Sequence, residues 1–487
     1  MRRLLVAFAV VAAVTAPSAW AVQRMVSGSA PTVSAGDWTR YGRDAQVTND
    51  VPLATAQTLG LTAANAASLQ QRWRADLDGR IVASPLYVDG KIYVATEGGS
   101  MYALSAADGS ILWHRSFPTY TPDAPDCGSY GISSTGVIDT TRNVVYVATA
   151  DGMIHALDLD TGADAAGWPL QMPFDPTTGY VWGALTLVGD TLYVPVASFC
   201  DNRGATSDLY PTGGLYALDT SAPKVLGEFA VSPPNSLGGI WGYGGASVDP
   251  LTGDLWVTTG NSEPLGAGET QGYAESVVQL DPSLEVVAWN RPSGIPDQYL
   301  DSDFGSTPLL FQPNDCPPLA AAYNKNGELY VWNRDNLGGG PIWSMVTGPD
   351  DLATPFVGEP SWSDDLQTLV VANARVYDPT APSGVLDFTA TAGFTVGPGC
   401  TFPDKQTWVA PDIGLGVKPP PLIVGDLAFI AGGGSSAFNV LNAGTGALLR
   451  TFFLENKLYS TPIVAGDEVV VGNGAGTVFA FAAAPTG

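Results

Sequence analysis

Histidine is scarce in this sequence. Only His114 and His155 occur among 487 residues. His155 lies in MIHALD, at the aromatic position that Tyr102 holds in MYALS and Tyr216 in LYALD, so we expect it to pack inside the protein. His114 follows a tryptophan at the end of a strand-like segment and is expected to be peripheral. The two histidines argue against a Ser-His-Asp triad and against a histidine-rich metal site.

Basic residues are also few. Lys and Arg total 21 against 47 Asp and Glu, which gives a formal net charge of −26 at pH 7. Nucleic acids and anionic membranes attract basic surfaces, so this balance argues against either as a partner. The same balance suits a soluble exported protein with a site that holds a cation.

Long apolar runs are absent beyond the first residues, so the sequence predicts no membrane span. Residues 1–21 have the composition of a signal peptide. A basic start precedes the apolar stretch Leu4–Val14, and Ala19-Trp20-Ala21 provides a small-x-small cleavage site. We therefore predict a mature N-terminus at Val22 and a secreted or periplasmic protein.

One unit is repeated along most of the chain. Ser84–Trp113 predicts four short strands rich in Val, Ile and Tyr, separated by turns at Asp89-Gly90, Glu97-Gly98-Gly99 and Asp108-Gly109. Similar units recur at intervals of roughly 40–50 residues. The pattern predicts an all-β, eight-bladed β-propeller of four-stranded antiparallel blades. We letter the strands of a blade A to D from the axis outward.

The eighth unit begins at Tyr459 and ends without an outermost strand. Leu69–Leu77 precedes the first unit and carries the tryptophan expected of such a strand. We therefore predict that it completes blade eight and closes the ring. The predicted organisation is a signal peptide at 1–21, a leader and connecting segment at 22–68 with a short helix in LTAANAASLQ, and the propeller at 69–487.

The four cysteines form no CxxC pair, so a metal cluster or covalently attached haem is unsupported. In a four-stranded blade the inter-blade and B–C loops share one face, and the A–B and C–D loops share the other. This topology assigns Cys127 and Cys200 to the first face, and Cys316 and Cys400 to the second. We predict the disulfides Cys127–Cys200 and Cys316–Cys400 in an oxidising compartment.

The DW-x-x-YGRD segment and the LYALD-x-x-TG repeats resemble PQQ-dependent quinoprotein alcohol dehydrogenases, with the polyvinyl-alcohol dehydrogenase branch most similar. The resemblance covers nearly all of the chain after the signal peptide. It implies pyrroloquinoline quinone (PQQ) and calcium as cofactors, a small or polymeric alcohol as substrate, and a separate electron acceptor. We expect a monomer. Non-catalytic propellers, such as outer-membrane assembly factors, share these repeats, so a protein- or ligand-binding module is the alternative.

Four residues match the cofactor site that the resemblance implies, and for a fifth, the acidic calcium ligand, the sequence has no clean match. Asn261 in TTGNSEP matches a calcium-binding Asn, and Asp303 in DSDFGSTP matches the catalytic base near the metal. Lys325 in NKNGELY matches the cation that contacts the quinone oxygens, and Trp241 in IWGYGG matches the ring stacked on the cofactor. Asp201 in FCDNRG is a stand-in for the acidic calcium ligand. Calcium prefers oxygen ligands, and a carboxylate can take the proton of an alcohol.

Three of these residues also have purely structural interpretations. Asn261 suits a turn with positive φ, Asp303 suits a turn cap, and Lys325 suits a solvated hairpin tip. The family pattern is also incomplete. The adjacent cysteine pair of many quinoproteins is missing, and CGSYGISSTG contains no arginine for a PQQ carboxylate.

Overall fold

The structure is a computed structural model that describes residues 36–121, 128–198, 213–262, 271–295, 302–347, 358–377, 385–411 and 419–484. Within these ranges the strands form eight separate sheets, which we number as blades one to eight in chain order. Each has four antiparallel strands; blade three carries an additional short strand, Gly179–Tyr180, and blade seven an additional parallel strand, Asp50–Val51. The predicted eight-bladed propeller is confirmed.

The strands are short in most blades. In blades one and two they are Leu86–Val88, Lys91–Thr96, Ser100–Ser105 and Ile111–Ser116, then Val137–Asp139, Val144–Ala148, Met153–Asp158 and Leu170–Gln171. In blades three and four they are Thr186–Val188, Thr191–Ser198, Gly214–Asp219 and Lys224–Ala230, then Ser247–Val248, Leu255–Thr258, Val277–Leu280 and Val286–Asn290. In blades five and six they are Leu309–Phe311, Leu319–Tyr323, Glu328–Asn333 and Trp343–Val346, then Pro360–Ser363, Thr368–Tyr377, Val385–Thr395 and Trp408–Pro411. In blades seven and eight they are Leu422–Val424, Leu427–Ala431, Ala437–Asn442 and Leu448–Phe453, then Ile463–Ala465, Glu468–Gly472 and Thr477–Ala483.

The N-terminal strand Leu69–Asp76 completes blade eight. It pairs antiparallel with Thr477–Ala483, so the first and last strands of the propeller lie side by side. Trp73 of this strand is buried, and its Nε1 donates to the main-chain oxygen of Ala106 in blade one at 2.8 Å. The predicted closure is confirmed, and it leaves no open edge between blades eight and one.

Tryptophans on strand D fasten neighbouring blades together. Trp113 of blade one packs on Gly162 in the C–D turn of blade two, where a Cβ would lie 2.7 Å from the indole ring. The indole Nε1 donates to the main-chain oxygen of Leu159 in the same turn at 3.0 Å. Trp73 packs on Gly109 in the same way. The φ angles are +70° at Gly162 and +73° at Gly109, and only glycine adopts such values without strain. The TG and DG steps of the repeat therefore serve blade packing as well as the turn.

Residues 38–51, which we call the belt, run around the inner strands of the propeller. The belt makes hydrogen bonds with strand A of seven blades, in the order in which the blades follow one another. The contacts join Trp38 to Tyr87, Thr39 to Ile138, Arg40 to Leu187, Ala45 to Val248, Gln46 to Leu310, Thr48 to Trp362 and Asn49 to Ile423. All are main-chain bonds except that of the Arg40 guanidinium. At its end Asp50–Val51 adds to blade seven as a parallel strand.

The helical part of the connecting segment differs from the prediction. The α-helix is Leu53–Leu59, which follows Pro52 and ends at Gly60 in a left-handed conformation. Within LTAANAASLQ only Ala66–Ser68 is helical, as a 3₁₀ turn. Proline before a helix and glycine after it are standard boundary signals, so the sequence carried the correct boundaries. A second 3₁₀ segment, Arg334–Gly339, follows strand C of blade five.

The disulfide Cys316–Cys400 is present as predicted. It joins the A–B loop of blade five to the C–D loop of blade six, across 84 residues of sequence. Cys127, Cys200 and the signal peptide at 1–21 lie outside the described residues, so those assignments stay predictions. In the described part of the chain no helix has the length and apolar character needed to cross a membrane.

Candidate functional site

Asp303 lies between blades four and five, just before strand A of blade five. Its main-chain oxygen accepts a hydrogen bond from the main-chain N–H of Lys325 at 3.0 Å, and the adjacent Phe304 N–H donates to Thr259 of blade four at 3.3 Å. Asp303 is thus held by the turns after strand B of both blades. These turns belong to the B–C face of the propeller.

Three of the predicted residues meet at this point. Lys325 Nζ lies 2.6 Å from Asp303 Oδ2, and the main-chain N–H of Asn261 donates to Asp303 Oδ1 at 2.7 Å. The side chains of Lys325 and Asp303 are only 5% and 7% exposed. Interpreting Lys325 as a solvated hairpin tip is therefore wrong. It forms a buried ion pair with Asp303.

Trp241 lies beside this pair because residue 260 is glycine. A Cβ at position 260 would lie 2.4 Å from Asp303 Oδ1 and 2.7 Å from both Cδ1 and Nε1 of Trp241. No side chain fits there, so the indole edge and the carboxylate both approach the main chain of Gly260. Trp241 itself is half-buried. The structure therefore brings Trp241, Asn261, Asp303 and Lys325 into one cluster.

A second carboxylate supports the cluster from behind. Glu275 is fully buried, its main-chain N–H donates to the oxygen of Gly260 at 3.0 Å, and its carboxylate accepts hydrogen bonds from Ser302 and Arg291. Burial raises the pKa of Glu275, and the nearby Asp303 raises it further, whereas Ser302 and Arg291 lower it. Glu275 connects Gly260 with Ser302, the residue that precedes Asp303.

Aromatic residues line the same face toward blades two and one. The ring of Tyr180 lies 6.0 Å from Trp241 and 5.1 Å from Tyr130, both edge-on. Burial raises the pKa of Tyr180 well above its usual value, and the charge of Glu97 adds to this increase. Glu97, in the B–C turn of blade one, pairs with Arg80 and accepts from Ser133 Oγ at 2.9 Å. The Arg80–Glu97 ion pair therefore places charged side chains on the face that carries Trp241.

Sequence reasoning missed Gly260, Glu275, Glu97 and Arg80. Glu97 could have been found, because it follows strand B of its blade just as Lys325 does in blade five. Gly260 also follows strand B of its blade, directly before Asn261, whereas Glu275 and Arg80 carry no such positional signal. Asp201, the predicted acidic calcium ligand, lies outside the described residues. Within the described ranges there is no group of three or more His, Cys, Asp or Glu residues suited to a metal ion.

The chain resembles known propeller proteins over much of its length. A family model described as outer membrane protein assembly factor BamB matches residues 8–233. The quinohemoprotein alcohol dehydrogenase ADH IIB of Pseudomonas putida is 27% identical over 348 residues, covering 62% of this chain and 46% of that protein. The polyvinylalcohol dehydrogenase of a Pseudomonas species is 24% identical over 328 residues, covering 60% and 48%. The chain spans less than half the length of these relatives.

Solved structures show the same fold. The quinohemoprotein alcohol dehydrogenase of Comamonas testosteroni superimposes with a TM-score of 0.73 at 16% identity, covering 93% of this chain and 81% of that one. BamB of Moraxella catarrhalis gives a TM-score of 0.56 at 14% identity, covering 85% and 99%. The resemblance to quinoprotein alcohol dehydrogenases that the sequence motifs indicated is confirmed.

Proposed function

We propose that the protein is a secreted or periplasmic oxidoreductase, because the chain resembles quinoprotein alcohol dehydrogenases in sequence and has their propeller fold. It would use PQQ and calcium to oxidise an alcohol and pass the electrons to a separate acceptor. The observation that carries this proposal is the buried Asp303–Lys325 pair, held beside Asn261 and Trp241 on one face. A buried ionisable group with a specific charge partner is a candidate for a functional role.

The donor set fits a hard cation. Asp303 and Asn261 both supply oxygen atoms, the ligand type that calcium prefers. Each carboxylate oxygen has two lone pairs, so the hydrogen bonds from Asn261 and Lys325 do not exclude a metal ion. Asp201 would add a further oxygen. We assign the calcium to Asn261, Asp303 and Asp201.

The surroundings also fit a flat aromatic cofactor. Glycine at position 260 keeps side-chain atoms away from the edge of Trp241, and this tryptophan is partly exposed. Lys325 and Arg80 would supply charged N–H donors for an anionic cofactor such as PQQ, and each is also paired with a carboxylate.

A bound PQQ would supply the two-electron acceptor, and calcium held by Asn261, Asp303 and Asp201 would supply Lewis-acid activation of it. The protein's part is proton transfer and orientation. Asp303 takes the proton of the alcohol hydroxyl onto a carboxylate oxygen. Lys325 holds that carboxylate in place through its ammonium group, and its remaining N–H groups would bind the quinone.

Reconstitution tests the proposal. Protein incubated with PQQ and calcium should show a cofactor absorbance band and reduce a dye when given a small alcohol or polyvinyl alcohol. Asp303→Asn should abolish turnover while circular dichroism and PQQ-dependent quenching of tryptophan fluorescence persist. Asp108→Asn, on an exposed turn, is the matched control. Calorimetry that detects no PQQ binding in the presence of calcium would contradict the enzyme proposal and favour a binding module.

A further inference from the structure

A cavity of about 400 Å³ lies between the belt and the A–B side of blades four to six. Its walls include Leu251 of blade four, Gln312 of blade five and Asp364 of blade six, all of which follow strand A of their blades. The B–C turns that carry Asn261 and Lys325 lie on the opposite face. This cavity is therefore separate from the candidate cofactor site.

The belt gives the cavity a polar wall. Every second belt residue from 44 to 50 lines it, namely Asp44, Gln46, Thr48 and Asp50. Asp44 is already occupied, because Oδ1 accepts from the main-chain N–H groups of Gln46 at 3.0 Å and Thr48 at 3.2 Å, and its other oxygen accepts from the Thr48 hydroxyl. Of the two belt carboxylates in the wall, Asp50 is thus the one available to a ligand.

Asp50 has a buried oxygen that lacks a partner. The residue is 7% exposed, and Oδ1 makes no hydrogen bond to any described residue. Arg43 donates to the main-chain oxygen of Asp50 at 3.1 Å rather than to its carboxylate. Burial and the neighbouring charges of Asp364 and Asp365 raise the pKa of Asp50 to about 8, while Arg43 acts in the opposite direction. A buried acceptor without a donor is costly, and a cationic N–H donor would remove that cost.

Arg334 is the complementary donor. It is 6% exposed, lines the cavity, and its Nε makes no hydrogen bond within the described residues. Its Nη1 lies 2.8 Å from Asp249 Oδ2, and Asp335 is also close enough to affect its charge. Because two carboxylates already balance the guanidinium, the free Nε–H calls for a neutral oxygen acceptor rather than another anion.

Charge and size together define the ligand. Asp249 balances Arg334, and Asp44 lies beside Arg43, so Asp364 and the ionised form of Asp50 leave the cavity negative. A bound ammonium group would favour that ionised form of Asp50. A cavity of about 400 Å³ is far larger than a bare metal ion, and no acidic cluster among the described residues suits one. We propose that this cavity binds a small organic ammonium bearing a hydroxyl group, such as an amino alcohol or amino sugar. Its N–H donates to Asp50 Oδ1, and its hydroxyl oxygen accepts from Arg334 Nε.

Three small probes separate the parts of this proposal. Ethanolamine has both an N–H donor and a hydroxyl. Choline keeps the charge and hydroxyl but has no N–H, and ethylene glycol has no charge. Calorimetry on the full protein should detect ethanolamine binding, with choline and ethylene glycol at least about tenfold weaker, because a hydrogen bond to a charged group contributes about that factor.

Variants locate the site. Asp50→Asn keeps the shape of the side chain and should weaken ethanolamine binding at least about tenfold. Asp89→Asn, on an exposed A–B turn of blade one, should leave it unchanged. Asp303→Asn should also leave it unchanged, because the cavity does not depend on the proposed oxidoreductase activity. Absence of ethanolamine binding, equal binding of choline, or full binding by Asp50→Asn would each overturn the proposal and indicate a water-filled cavity.

Discussion

Replacing Lys325 by methionine tests whether the Asp303–Lys325 pair is both structural and part of a cation site. Methionine matches the length of the lysine stem but removes the ammonium group. The variant therefore leaves Asp303 in a buried position without the lysine charge that lies 2.6 Å away. We expect a marked loss of stability that calcium partly reverses.

The magnitude follows from burial and distance. At 2.6 Å and an effective dielectric constant of about 20, the attraction between the two charges is about 6 kcal/mol. The cost of removing both groups from water offsets part of it. Removing one partner of a buried pair typically costs about 3–5 kcal/mol, and we expect that loss in the free energy of unfolding.

Chemical denaturation followed by tryptophan fluorescence, with and without calcium, provides the measurement. Calcium at 100 times its Kd should stabilise Lys325→Met by about 2.7 kcal/mol, and the wild type by less because Lys325 competes for Asp303. Lys224→Met is the control. Lys224 is 61% exposed and 3.7 Å from Asp219, so its loss should cost no more than about 1 kcal/mol.

Two results would refute this reasoning. If Lys325→Met unfolds with the same free energy as Lys224→Met, the pair is not the buried interaction described above. If Lys325→Met is destabilised but gains no more from calcium than the wild type, Asp303 does not hold a cation, and the metal part of the proposed function is wrong.

Three further perturbations have defined outcomes. Replacing both Cys316 and Cys400 by serine should lower the free energy of unfolding by about 4–5 kcal/mol, the chain-entropy value for a loop of this length, and reduction of the wild type should match it. Gly162→Ala should cost about 1–3 kcal/mol more than Gly253→Ala in thermal unfolding, because both glycines have positive φ but only position 162 faces an indole ring. Burial raises the pKa of Glu359, so stability should fall as pH rises from about 4.5 through the folded-state pKa, and Glu359→Gln should flatten this part of the pH profile.

Each of these predictions can fail clearly. Unchanged unfolding after loss of the disulfide would mean that the loop is held equally well by packing. Equal costs for the two alanine variants would show that the indole ring moves aside freely. A pH profile that Glu359→Gln does not alter would mean that this buried carboxyl, which accepts from Tyr41 and Thr307, titrates alike in folded and unfolded protein.

The fold was predictable because each blade is specified locally. Strands such as Lys91–Thr96 combine β-branched and aromatic residues with turns that end in glycine, and this pattern recurs along the chain. The placement of Asn261 and Lys325 on one face was predictable for the same reason, since both follow strand B of their blades and the repeat fixes the face on which that turn lies. The disulfide Cys316–Cys400 was predictable because the A–B and C–D loops, which carry these two cysteines, lie on the same face of the propeller.

The rest of the site depends on contacts that no single repeat encodes. Glu275 supports Asp303 through Ser302 in the next blade, and Arg80 meets Glu97 from a different loop. Whether Lys325 is solvated or buried was also undetermined, because Asn-Lys-Asn-Gly suits an exposed turn as well as an ion pair. Tertiary packing determines these contacts and the burial of Lys325, and local sequence patterns do not predict it.

The contacts of the belt determine how many blades the propeller contains. Neighbouring repeats are similar enough that a ring could close with one blade too few or exchange a blade with a second chain, a known failure of repeat proteins. Residues 38–51 bond to strand A of blades one to seven in order, and Leu69–Asp76 then supplies the outer strand of blade eight. Only an eight-membered ring satisfies all of these contacts at once. The N-terminal belt and strand therefore fix the position that blade eight must occupy. The ring can close only after the strands of blade eight have been synthesised.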